Sequence, residues 1–185
     1  LLIEQLIKER RSIARFGERP VDVEEVKQLL NTAIWVPNHK MTQPWRFVFI
    51  TGETKQQLAE LAGSFMSKGK VGEEKAAAYQ KAYQTFEHVP VFLMVIMEES
   101  HLLKTRQEDY ASTSLIIHNL SLLCWEKGIG MIWKTGPLTD DVRFRELVGV
   151  KQGEKFVGML QLGYPEKVPK ARPRADLTDR ITELN

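Results

Sequence analysis

Seven consecutive apolar residues, Val91-Phe92-Leu93-Met94-Val95-Ile96-Met97, follow Pro90 with no polar side chain among them. A strand with one face in water alternates apolar and polar residues, so an unbroken run predicts a strand covered on both faces. A chain with such a strand has to be layered, with apolar elements packed above and below a sheet. The run is also the longest apolar stretch of the chain, and a bilayer span needs about 20 residues. At 185 residues the chain is long enough for one domain with one core of this kind.

Helical periodicity supplies the covering layers. Within 1–10, Leu2, Leu6 and Ile7 fall on one face. Asp22 stands three residues before Glu25, a capping-box spacing, and Val26, Leu29, Leu30, Ala33 and Ile34 carry a helix on towards Pro37. Arg46 to Thr51 reads as a strand, and Thr54 with Gln57 opens a capped helix through about Met66. Lys68 to Gly72 is a linker, and Glu73 to Phe86 a largely polar, partly exposed helix. Beyond the central strand, Glu108 to Lys127 forms a long helix ending at Gly128, a natural left-handed C-cap. Ile129 to Trp133 and Phe156 to Leu162 are further inner strands, and Thr139 caps a helix through Val148 between them. Pro165 to Asn185 is rich in Pro, Lys and Arg and either is disordered or wraps a partner subunit. The expected architecture is α+β or mixed α/β, with helices on a small sheet.

Composition narrows the function classes. Hydrophobic residues at 43% and charged residues at 27% exclude a disordered chain. A net charge of +2 is too small to make nucleic acid the default partner, so any anion site has to be local. One cysteine, Cys124, excludes an internal disulfide or a cysteine-cluster metal site. Glu4 directly after Leu1-Leu2-Ile3 leaves no signal-peptide core, so no membrane association and a cytoplasmic location are expected.

Three stretches concentrate chemistry. Arg10-Arg11-Ser12, at a helix end, combines two guanidinium forks with a hydroxyl, which suits a phosphate monoester; a solvated helix cap uses the same residues. Pro37-Asn38-His39-Lys40-Met41-Thr42-Gln43-Pro44-Trp45 is a proline-bounded loop in which His39, Lys40 and Gln43 can donate hydrogen bonds. Trp35 and Trp45 can wall a flat ligand or fill a core. Gly128-Ile129-Gly130-Met131-Ile132-Trp133-Lys134-Thr135-Gly136-Pro137 is a glycine-framed strand ending in a polar turn, where Lys134 and Thr135 can meet an anion or carbonyl. The glycine spacing at 128–136 fails GxGxxG and follows a helix rather than preceding one, and there is no Walker loop, no HExxH and no GxSxG elbow. With no protein nucleophile evident, a cofactor is expected to carry any reaction.

Arg10-Arg11-Ser12-Ile13-Ala14-Arg15-Phe16 resembles the RRSxRxF opening of the nitroreductase family of FMN-dependent oxidoreductases. Val36-Pro37 through Gln43-Pro44-Trp45-Arg46-Phe47 is similar to that family's APSxxNxQPWxF block, in the form of a compact subgroup with a P-[DN]-H-K-x-x-Q-P-W loop. Gly128 to Trp133 resembles its Gly-rich strand, and Leu162-Gly163-Tyr164-Pro165 its late LGYP turn. The resemblance implies a three-layer helix/sheet/helix α+β fold around a mixed, mainly antiparallel sheet, and a homodimer with FMN at the subunit interface. It implies a single domain over 1–185, with 165–185 wrapping the partner. By the same resemblance Arg10, Arg11 and Ser12 hold the FMN phosphate and ribityl chain, and Arg174 adds a phosphate contact. His39 replaces a missing Asn, Gln43 lines the flavin from the other subunit, and Trp133, Lys134 and Thr135 sit at the flavin edge.

The expected activity is hydride transfer from NADH or NADPH through FMN to a nitroaromatic, quinone or similar small-molecule acceptor. No side chain is assigned as acid or base. Two other readings stay open: a flavin-binding or flavin-sequestering protein without significant turnover, and a basic module binding an acidic partner through Arg10-Arg11 and the tail.

Overall fold

In the computed structural model, which describes residues 2–184, the apolar run forms the interior strand β2, Val91–Glu98. Leu1 of the expected first helix and Asn185 of the tail lie outside the described residues. β1 (Trp45–Ile50), β3 (Gly130–Lys134) and β4 (Glu154–Gly163) complete a four-stranded sheet of order β1-β2-β4-β3.

Alternation along β2 builds both cores at once. Val91, Leu93, Val95 and Met97 pack against Val26, Leu30 and Ala33 of α2 (Val23–Ala33) and Ile116, Leu120 and Cys124 of α5 (Leu103–Glu126). Phe92 and Met94 point the other way, against Leu58 and Ala62 of α3 (Gly52–Met66) and Phe144 of α7 (Val142–Leu147). Each buried Val, Leu, Ile, Phe or Met among them contributes about 1.5–3 kcal/mol by leaving water. The layers are helix, sheet, helix, as expected. The sheet differs in one respect: its four strands pair only antiparallel, and parallel pairing is confined to an isolated bridge between Ser12 and Met131.

Around this frame lie α1 (Ile3–Glu9), which buries no residue, α4 (Gly72–Glu87), also without a buried residue, and the single turn α6 (Pro137–Asp140). α5 stops as Gly128 enters the left-handed region at φ 76°; Gly128 N donates to Trp125 O and Ile129 N to Cys124 O, the paired bonds of a Schellman cap.

Several expected boundaries move, each for a local reason. α5 begins at Leu103 rather than Glu108, because Ser100 accepts from the Leu102 amide and from Arg106 and so turns the chain before the apolar face starts. The Thr139–Val148 helix is two helices. Asp141 breaks it at ψ 130° and caps α7 by accepting from the Arg143 amide, while the Thr139 hydroxyl bonds back to Gly136. Asp22 caps α2 through the amide of Glu24, so no capping box with Glu25 forms. α3 starts at Gly52 with Thr51 as N-cap, two residues before Thr54, which also moves β1 back to Trp45 opposite Met97.

Candidate functional site

Arg10 ends α1 by turning to an extended backbone, φ −54° and ψ 134°. The segment that follows is pinned to the β3–β4 edge. Ile13 N donates to Met131 O at 3.1 Å, Gly17 N donates to Tyr164 O at 2.8 Å, and Phe16 bridges to Pro165. Two absent side chains make this approach possible: a Cβ at Gly130 would lie 2.5 Å from Ile13, and one at Gly163 2.6 Å from Phe16. Sequence blocks separated by more than a hundred positions therefore fit one another at a single sheet edge, and the tail leaving Pro165 runs back towards α1.

That return brings Arg174 to Arg10, Arg11 and Ser12. Together with Lys8, Lys170 and Arg172 they line an open cavity of 610 Å³ that has no carboxylate in its wall. Burial, then the neighbouring charges of Arg11 and Arg174, lower the pKa of the Arg10 guanidinium. Arg11 has two roles. Its Nη1 donates to Lys8 O at 2.7 Å and Arg10 O at 2.8 Å, closing the C-terminus of α1, while its Nε is buried without a partner. A buried N–H left unpaired costs about 1–3 kcal/mol. Clustered guanidinium groups, a hydroxyl and an orphaned donor fit a multi-oxygen anion such as a phosphate monoester, which answers both deficits.

At the same edge, Trp133 lies over Gly158, where an added Cβ would fall 1.9 Å from its Nε1. The register of β2 and β4 shifts between Val95 and Ile96, and the Trp133 Nε1 donates at 3.1 Å to the carbonyl of Val157 beside that bulge. Lys134 follows, its pKa lowered by burial, with no carboxylate paired to it among the described residues. Thr135 lines a separate, polar 450 Å³ cavity with Glu99, Arg145 and Glu154.

The Pro37–Trp45 loop is built differently. Lys40, Met41 and Gln43 have positive φ, 58°, 51° and 44°, in place of the glycines such geometry favours. Left-handed non-glycine residues cost on the order of 1–3 kcal/mol each unless their surroundings impose them. Asn38 closes the loop, its Oδ1 accepting from Gln43 N at 2.8 Å. α5 then clamps it. The Thr42 hydroxyl donates to Asp109 Oδ1, the Ser112 hydroxyl donates to Pro37 O at 2.9 Å, and His39 Nδ1 pairs with Glu108 at 2.7 Å. Trp45 packs against the core, whereas Trp35 is 87% exposed.

The structure thus gathers Arg10, Arg11, Ser12 and Arg174, places Trp133 and Lys134 on the adjoining strand, and sets His39 and Gln43 apart from them. The loop leads into β1 and the arginines flank β3, the two outer strands of the sheet, roughly 14 Å apart at three inter-strand spacings. The residues missing from the sequence reading are Asp109 and Glu108, and the organising role of Asn38. The acidic pair carries no signal of its own, because with the helix read as starting at Glu108 the two look like ordinary first-turn acids, whereas α5 starts at Leu103.

With this geometry in view, comparison with known proteins is decisive for class. Residues 7–164 match the model of the Nitroreductase family, and the chain belongs to that family. It is 38% identical over 99% of its length, and 94% of the other's, to a Bacillus subtilis (strain 168) protein named "Putative NAD(P)H nitroreductase YfhC". Its fold superposes on a nitroreductase-like family protein from Bacillus cereus with a TM-score of 0.89 at 34% identity, covering 100% of this chain and 96% of that one. The FMN and NADPH-dependent nitroreductase NfnB of Sphigopyxis sp. strain HMH has the same fold at a TM-score of 0.79 and 19% identity, each chain covered in full at 100%.

Proposed function

We propose that this chain is an FMN-dependent NAD(P)H oxidoreductase acting on nitroaromatics, quinones or similar small acceptors, as a homodimer with each FMN held between two protomers. The observation that carries it is the carboxylate-free cavity of Arg10, Arg11, Ser12 and Arg174 with the unpartnered Arg11 Nε. Family membership and the names of the relatives, NAD(P)H nitroreductase in one case and FMN and NADPH-dependent nitroreductase in another, point the same way.

When bound, FMN supplies the two-electron chemistry, taking hydride from NADH or NADPH and delivering electrons to the acceptor. The protein's own part is binding and orientation. Arg10, Arg11 and Arg174 neutralise the phosphate and Ser12 donates to it. Trp133, seated on Gly158, and Lys134, a cation in a partly dry place, border the ring edge, where an unpaired ammonium favours added negative charge. His39 and Gln43 reach the ring from the partner protomer, which fits their place at the opposite sheet edge. No nucleophile is needed, and Cys124 offers none: burial pushes its thiol up to about 12.

Dimerisation accounts for apolar surface a lone chain leaves wet. Ile3 and Ile7 on α1 are 71% and 52% exposed, and Val168, Leu177 and Ile181 of the 165–185 tail are all exposed. Among the described residues no helix is long and apolar enough to cross a membrane. A cytoplasmic location is part of the proposal, supported by the lone buried thiol.

The test is the visible spectrum of the purified protein with FMN, followed by anaerobic NADH or NADPH. The expected result is a bound flavin that bleaches with at least one nucleotide. Binding without bleaching would instead make this a flavin-sequestering protein, and a colourless protein would remove the assignment altogether.

A further inference from the structure

The loop carrying His39 and Gln43 is held in shape from outside. Lys40, Met41 and Gln43 adopt left-handed backbone without glycine, and no residue from His39 to Gln43 is buried, so local packing does not impose that shape. What imposes it is α5, and at its centre is a carboxylate that folding has taken out of water. Asp109 is 3% exposed, no Lys, Arg or His forms an ion pair with it among the described residues, and its Oδ1 accepts the Thr42 hydroxyl. Burying a carboxylate without a cation is among the costlier things a fold does. An apolar residue at 109 would pack on the neighbouring Thr113 and Ile116 face without that cost, but it would leave the Thr42 hydroxyl only Asn38 Oδ1, 3.3 Å away and already accepting from Gln43 N, in place of an acceptor on α5.

We propose that Asp109 is a positioning residue for the flavin site. Through Thr42 it locks residues 38–43 in the strained conformation that presents Gln43 and His39 to the cofactor across the dimer interface. Thr42 lies directly between Met41 and Gln43, both left-handed, so a bond to its side chain constrains the backbone on either side. The bonds of Ser112 to Pro37 and of Asn38 to Gln43 fix the ends of the same segment; within it Asn38 Nδ2 donates to the Thr42 hydroxyl at 3.0 Å and His39 pairs with Glu108, and the Asp109 contact is the one that ties Thr42 itself to α5. This inference rests on the flavin-site reading of the preceding subsection.

The experiment compares dimeric holoproteins of wild type, Thr42→Val, Thr42→Ser, Asp109→Ala and Asp109→Asn. FMN affinity, the visible flavin spectrum, kcat and KM with NADPH or NADH, and thermal midpoint are read for each. Thr42→Val and Asp109→Ala are expected to weaken FMN binding by about tenfold, equivalent to about 1.4 kcal/mol, and to shift the flavin spectrum. Thr42→Ser and Asp109→Asn keep a donor and an acceptor and are expected to restore both readings. The double variant Thr42→Val/Asp109→Ala should be no worse than Thr42→Val, which already removes the Asp109 bond together with the Asn38 contact to the same hydroxyl. A lower thermal midpoint with unchanged spectrum, affinity and kinetic constants would make Asp109 a structural residue and overturn the proposal. Should Asp109→Ala fail to fold, Thr42→Val decides the matter alone. Wild type that takes up no FMN overturns the functional reading, and this inference with it; normal wild type with unaltered variants overturns only the inference.

Discussion

Arg11 closes the end of α1 with one nitrogen of its guanidinium and leaves another buried and unpaired. Helix cap and anion ligand, which the sequence leaves as competing readings, are compatible in one side chain. Arg10, beside it, has no competing duty among the described hydrogen bonds and is the cleaner probe. Arg10→Ala should cost about 1.5–3 kcal/mol of FMN binding, the worth of charge-assisted hydrogen bonds, as measured by flavin titration; an unchanged affinity would remove Arg10 from the site. Gly158 tests a second contact. Gly158→Ala puts a methyl 1.9 Å from Trp133 Nε1 and should dislodge the indole from Val157 O. The expected loss is about 1–3 kcal/mol in denaturant unfolding, with a shifted tryptophan emission. That Arg10, Arg11, Ser12 and Arg174 belong together was legible from motif order, and the structure lines one cavity with them. Asp109 was not, because burial of a carboxylate depends on which loop folds over the helix, and one strand of text does not state that.

At the scale of elements, the sheet's central strand was readable because a doubly covered strand has no polar face to disguise it. Helix ends were less readable: α6 and α7 look like one helix by periodicity, and only the ψ of Asp141 separates them. Long-range polar pairs were invisible. Arg46 of β1 grips Glu154 at the start of β4 with two bonds of 2.7 and 2.6 Å, and Glu154 also accepts the Lys151 amide. This holds the Glu154 carboxyl down to about 2 from an ordinary 4.5, chiefly through the Arg46 hydrogen bond. A folded-state pKa below the unfolded one gives stability that is complete above the unfolded value and is lost on acidification. Unfolding midpoints should therefore fall as pH drops from about 4.5 to about 2, and Glu154→Gln should flatten that fall. Asp141, held near about 2 by Arg143, contributes in the same window, so a residual slope is expected in the variant. An identical slope in wild type and Glu154→Gln would show that the pair does not couple to folding.

For the whole molecule, the residues proposed to hold the flavin fall towards opposite edges of a four-stranded sheet, the loop with Gln43 leading into β1 and the arginines beside β3. In the proposed homodimer a dyad would bring both to one flavin, and the exposed apolar side chains of α1 and the tail offer surface for such a contact. The most direct measurement is complementation between Arg10→Ala and Gln43→Ala chains, each impaired as a homodimer, combined as a purified heterodimer through separate tags. In a shared site one of the two positions receives Arg10 and Gln43 intact while the other receives neither. The heterodimer should then bind one FMN with wild-type affinity and oxidise NAD(P)H through it. A heterodimer with no wild-type site would contradict this, because it would mean that both residues act on the flavin from the same chain.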